Sequence, residues 1–118
     1  MKYVMLIYQG PAPTIPGTDR WKALPQAEQG AIYADYAGLN KTPGITSGPP
    51  LGFPDKAKTV QVRNGATEVK NGTYLGEAVA GYAVLEAENM EAAVAVAERI
   101  PAARLGGAVE IRPSEQYW

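Results

Sequence analysis

Two arginines, a few carboxylates and a set of tyrosines are the residues of this chain that could do chemistry, because its 118 residues include neither histidine nor cysteine. That composition removes the imidazole base, the Ser/His and Cys/His nucleophile pairs, the thiolate, the disulfide and the His-ligated zinc or iron site. Proton transfer is left to Asp, Glu, Tyr, Lys or water. Arg63 and Arg112 are the candidate anchors: the planar guanidinium fork matches a carboxylate, so two of them with Thr59 and Glu110 in reach would hold a small anionic ligand. The competing reading has Arg112 paired with Glu110 or Glu86, tying strands or subunits together. Tyr82, Tyr74, Tyr33, Tyr36 and Trp21 could wall an aromatic pocket, or serve only as core and loop packing. Glu77, with Tyr74 close in sequence, is the weak catalytic candidate, a general base if burial raises its pKa and otherwise an ordinary loop carboxylate.

The elements that must position these residues are organised around residues 57–88. Asn64-Gly65 is a two-residue hairpin signal, since both central positions of a type I′ turn need positive φ. Counting outward pairs Arg63 with Ala66, Val62 with Thr67, Gln61 with Glu68, Val60 with Val69 and Thr59 with Lys70. Val60, Val62, Val69 and Thr67 then share a face that is expected to be buried, while Thr59, Gln61, Arg63, Glu68 and Lys70 share a polar one. Asn71-Gly72 is a second turn signal, and residues 73–81 read as a loop held by a rigid sheet, where binding residues tend to sit.

Residues 2–9, KYVMLIYQ, form an apolar β-favouring run expected to be a central strand buried on both faces. Three prolines and two glycines make residues 10–18 an irregular loop. A helix is predicted from Pro25 to Lys41, with Leu24, Ala27, Ala31, Ile32, Tyr36 and Leu39 on one stripe and Tyr33 nearly opposite. The proline-broken run that follows suits a short edge strand. Residues 81–88 form a strand with Tyr82, Val84 and Glu86 facing one way and Ala83, Leu85 and Ala87 the other. Asn89 caps a second helix with the stripe Met90, Ala93, Val94, Ala97 and Ile100, which Pro101 ends before a turn at 102–107. A last strand directs Val109 and Ile111 inward and Glu110 and Arg112 outward.

This succession predicts one α+β domain over residues 1–118, a ferredoxin-like split β-α-β sandwich with an antiparallel sheet and two helices on one face. The uncovered sheet face, carrying Tyr82 and Val84, is expected to pair with a second copy as a homodimer. A net charge of -1 with interspersed signs argues against a nucleic-acid partner, and the N-terminal apolar run is too short for a membrane span, so a cytoplasmic protein is expected. No cofactor or metal is implied: the glycines form no phosphate-binding pattern and the carboxylates no ligand spacing.

The start KYVMLIYQG, Trp21 before a helix, the TVQVRNG hairpin, the NGTY segment, EAVAGY, ERIPAAR and the closing VEIRP resemble, in order and over nearly the whole chain, the YCII-related proteins, specifically the branch with an Asp-Gly-Pro-Phe motif. The resemblance implies a dimeric α/β barrel in which two ferredoxin-like sheets enclose a cleft. Two features depart from it: Asn71 stands for the motif's Asp, and Thr73-Tyr74 for its Pro-Phe, so an amide replaces a group that could titrate. The His-Asp pair of lyase-type relatives has no counterpart. Three functions follow: a small-ligand-binding homodimer, a cofactor-free lyase- or isomerase-like enzyme using Tyr, Glu and Arg, or a structural dimer core.

Overall fold

The computed structural model describes residues 1–76 and 79–117. Strand β1 (Lys2–Tyr8) lies between β5 (Val79–Glu86) and β6 (Ala108–Pro113), and the edge strand β2 (Ile45–Ser47) completes an antiparallel sheet of order β2-β5-β1-β6. β3 (Lys58–Arg63) and β4 (Ala66–Asn71) form a separate two-stranded sheet. With that hairpin set aside, the strand order is compatible with a ferredoxin-like α+β fold, the hairpin being an insertion between the second and third strands of the unit.

The helical layer differs from the expected pair. α2 (Gln26–Asn40) and α3 (Met90–Ala97) lie where predicted, with Asn89 accepting from the Ala92 amide as the cap of α3. Two short helices, α1 (Asp19–Lys22) and α4 (Pro101–Arg104), are additional. Thr18 caps α1 by accepting from the Trp21 amide. Pro101 opens α4 instead of introducing a turn: its fixed φ suits a first helical position, where no amide proton is required.

The core is built from Tyr3 and Met5 of β1, Ala83 and Leu85 of β5, Leu39 of α2, Ala93 and Ala97 of α3, and Ile100 and Ala102. Small residues on α3 let that helix approach the sheet closely. Ile32, Tyr36 and Leu39 carry the buried side of α2, whereas Ala27 and Ala31 are exposed; on α3, Met90 and Val94 lie at the margin instead of inside. β1 is central as expected but covered on one face only. Val4 and Leu6, on its other face, are half-exposed beside Tyr82 and Val84.

The hairpin has the predicted pairing at every position from Thr59 with Lys70 to Arg63 with Ala66, Lys58 pairs further out with Asn71, and Asn64 and Gly65 adopt φ of 51° and 78°. Its faces are reversed in burial. Val60, Val62 and Val69 are 60%, 65% and 56% exposed, while Thr59, Gln61 and Glu68 on the polar face are half-buried. The turn fixes register locally, but burial needs a second layer, and no helix among the described residues covers the valines. The molecule is accordingly thin and long, 53 × 39 × 19 Å. Its radius of gyration is 16.2 Å, against about 13.5 Å for a compact chain of this length.

Candidate functional site

The outer face of the main sheet collects three of the expected residues. Tyr82 and Glu110 flank Leu6 in one cross-strand row, and Arg112 sits opposite Val4 in the next. Glu86 does not pair with Arg112: its carboxylate accepts from the N-terminal ammonium at 2.8 Å, and this hydrogen bond, with the positive charge, lowers its pKa. Arg63 and Thr59 lie on the hairpin, in the other sheet. The exposed Arg63 Nε is 3.9 Å from the half-buried Glu68, and Thr59 donates to the Gly72 carbonyl at 2.9 Å. Asn71 accepts from Lys58 Nζ at 2.8 Å. Tyr74 is exposed, and Glu77 lies outside the described residues. Within the chain, then, the two arginines are carried by different sheets.

A cavity of about 390 Å³ lies on the opposite, helix-bearing side of the sheet. Its floor is Ile7, Gly81 and Ala83 of the sheet; Ile32, Tyr36 and Leu39 of α2 form the roof, and the loop at Gln9, Thr14 and Ile15 closes one end. Trp21 and Tyr33 meet edge to face at 5.2 Å between ring centroids and stand at its border. Gln29 holds this corner by donating to the Trp21 and Leu24 carbonyls, which ties α2 to α1. At the far side the Tyr82 ring lies against Gly48, where any Cβ would overlap it.

Besides the tyrosines, the polar side chains of the cavity are Gln9 and Thr14 on the loop after β1, and Ser47 of β2, which donates to Asn40 Oδ1 at the end of α2 at 2.7 Å. Gly10, at φ 53°, turns the chain after β1, and the loop folds back so that Gln9 Nε2 donates both to the Ala12 carbonyl at 2.8 Å and to Thr14 Oγ1. Thr14 is 6% exposed. Burial raises the Tyr36 pKa above 10.0, against a smaller downward effect of Thr14. Such a phenol stays protonated at neutral pH and can donate a hydrogen bond, but is a poor base. No Asp, Glu, Lys or Arg is among the described residues that line the cavity, and no group of His, Cys, Asp or Glu among the described residues could hold a metal ion.

The aromatic members of this wall were legible as candidates in the sequence, although Trp21 and Tyr36 read equally well as core. Gln9 and Thr14 were not. Their signal is the absence of charge from residue 3 to residue 18, within which a glutamine and a threonine flank the first proline pair. A loop without charge can fold inward at low cost if its few polar groups satisfy one another.

An antiparallel sheet of ferredoxin-like order, helices on one side and a cavity between the layers define an α+β domain. The YCII-related domain model matches residues 1–115, and the chain belongs to that family. No curated protein matches it. No helix among the described residues is long and apolar enough to cross a membrane.

Proposed function

We propose that this YCII-related chain is a non-catalytic homodimer in which each subunit binds one small molecule in the cavity between α2 and the sheet. The observation that carries this reading is the cavity itself: about 390 Å³, mostly aromatic and aliphatic in its walls, with a few polar side chains, Gln9, Thr14, Asn40 and Ser47, among them, the usual form of a small-molecule site. Dimerisation is supported by the uncovered sheet face with Val4, Leu6, Tyr82 and Val84, and by a smallest dimension of 19 Å, the depth of one sheet and one helix layer. The Asp-Gly-Pro-Phe branch is proposed on the Asn71 to Tyr74 segment. An anion held between Arg63 and Arg112 would need guanidinium groups from two sheets, and a lyase- or isomerase-like reaction would need a titrating base that the cavity wall lacks among the described residues.

Native mass spectrometry of freshly purified protein tests both parts. The expected spectrum is a dimer carrying extra mass that is lost on denaturation. A monomer would overturn the subunit pairing. A ligand-free protein whose melting temperature no neutral ring compound raises would overturn the binding site.

A further inference from the structure

The cavity between α2 and the sheet has a neighbour. A second cavity of about 290 Å³ adjoins it, and Gln9, Ile15, Leu51 and Ala80 line both. Beyond that common wall the second cavity is bounded by Phe53, Pro54, Val79 and three glycines.

The sheet carries one cavity over into the other. β1 and β5 pair Ile7 with Gly81 but Tyr8 with Val79, so Ala80 is the extra residue of a bulge. A bulge bends its strand and re-aims the side chains around it. Gly81 accordingly lines the first cavity alone, Val79 the second alone, and Ala80 both. The Leu51 amide donates to the Ala80 carbonyl at 2.9 Å, which fixes Leu51 at the junction. Gln9 is held there too, both N–H groups of its amide being spent on the Ala12 carbonyl and Thr14 Oγ1. What remains of the partition is the pair of aliphatic side chains of Ile15 and Leu51. Leu51 is 46% exposed, and a side chain so placed changes rotamer within nanoseconds.

The walls also set the chemistry of the guest. No Asp, Glu, Lys or Arg is among the described residues lining either cavity, so a charged group would lose its hydration uncompensated. A cavity of about 150 Å³ accommodates benzene. Each of the two exceeds that size, and in line they suit a long molecule better than a round one.

We infer that the two cavities are subsites of one site, which takes a neutral, elongated molecule: a ring in the cavity under α2 and an apolar chain passing Ile15 and Leu51 into the second. This rests on the proposed cavity site and goes further by adding a subsite and fixing the class of ligand.

Three probes of stated length and charge test it: benzyl alcohol, 6-phenyl-1-hexanol and the anion 6-phenylhexanoate, each titrated into isotope-labelled protein and followed by heteronuclear NMR. The Gly81 and Ala83 amides report on the first cavity, and the Gly52 and Phe53 amides on the second. Benzyl alcohol should shift only the first pair, and 6-phenyl-1-hexanol both pairs. Each methylene buried corresponds to up to roughly fourfold in affinity, so the long alcohol should bind at least about thirtyfold more tightly than the short one, with 6-phenylhexanoate weaker than the long alcohol. Val79→Phe adds bulk to the second cavity alone. It should weaken 6-phenyl-1-hexanol by about tenfold and silence Gly52 and Phe53, while benzyl alcohol binds as before and shows that the variant is folded. The wild-type shifts decide the matter even if that variant does not fold. Shifts from the long alcohol confined to one pair of amides, an undiminished affinity in folded Val79→Phe, or tighter binding of the anion would overturn the inference and leave the first cavity as a site. Silence of all four amides with all three probes would overturn the cavity site together with it.

Discussion

The hairpin and the four-stranded sheet obey the same rules of pairing and differ in what covers them. In the sheet, alternation along β5 puts Ala83 and Leu85 at 1% exposure each beneath the helices. In the hairpin, equally regular alternation puts Val60, Val62 and Val69 in solvent. Register is set within a few residues by a turn, whereas burial is set by an element that arrives from elsewhere in the chain. A valine stripe thus reports the pleat of a strand and not the location of the core.

Removing volume on each side gives the widest separation. Ile100 is fully buried in the core cluster, and Ile100→Ala should cost about 2–5 kcal/mol in urea unfolding. Val62→Ala should stay within about 0.5 kcal/mol, as exposed substitutions do. A Val62→Ala loss comparable with that of Ile100→Ala would mean that the hairpin face is buried in the folded assembly, and the contrast between the two regions would fail.

Glycines in the two regions sharpen the contrast at a smaller scale. Gly44, before β2, and Gly65, in the hairpin turn, have φ of 83° and 78°, a region that strains any residue with a Cβ. A Cβ on Gly65 meets open space, while one on Gly44 would lie 2.7 Å from the Glu86 carbonyl oxygen. Gly65→Ala should therefore cost about 1–2 kcal/mol, from backbone strain alone. Gly44→Ala should cost about 2–4 kcal/mol, since the β2–β5 edge must also shift. Equal losses in thermal unfolding would show that the close approach of Gly44 to β5 does not constrain the edge.

The same distinction explains what could be read in the sequence. The Asn64-Gly65 turn gave a register correct at every pair, Asn89 gave the cap of α3, and the alternation of Val109 and Ile111 gave the inner face of β6, because each depends on neighbours in sequence. α1 is four residues long and α4 likewise, too short for a periodic stripe to mark them. The outward-facing arginines were legible as chemistry but not as neighbours, since nothing local says that β3 and β4 leave the main sheet. The cavity was least legible of all: Gln9, Thr14 and Tyr36 come together only when a loop rich in proline folds against a helix that begins after it.

The subtlest expected effect belongs to Tyr36 and is one of pH. An unfolded tyrosine ionises near 10.0, and burial places the folded value higher, so above that pH the folded chain keeps a proton that the unfolded chain has released. The folded state then binds more protons, and stability must fall as pH rises. The contribution of Tyr36 is complete below its unfolded pKa and is lost progressively as pH climbs from there through the folded value. Urea midpoints measured from about pH 9 to about pH 11 should decline more steeply for the wild-type chain than for Tyr36→Phe, which has no phenol to titrate. Other tyrosines contribute equally to both proteins and cancel in the difference. Parallel declines would mean that Tyr36 ionises in the folded state as it does in water, and the hydroxyl would then be solvated instead of buried.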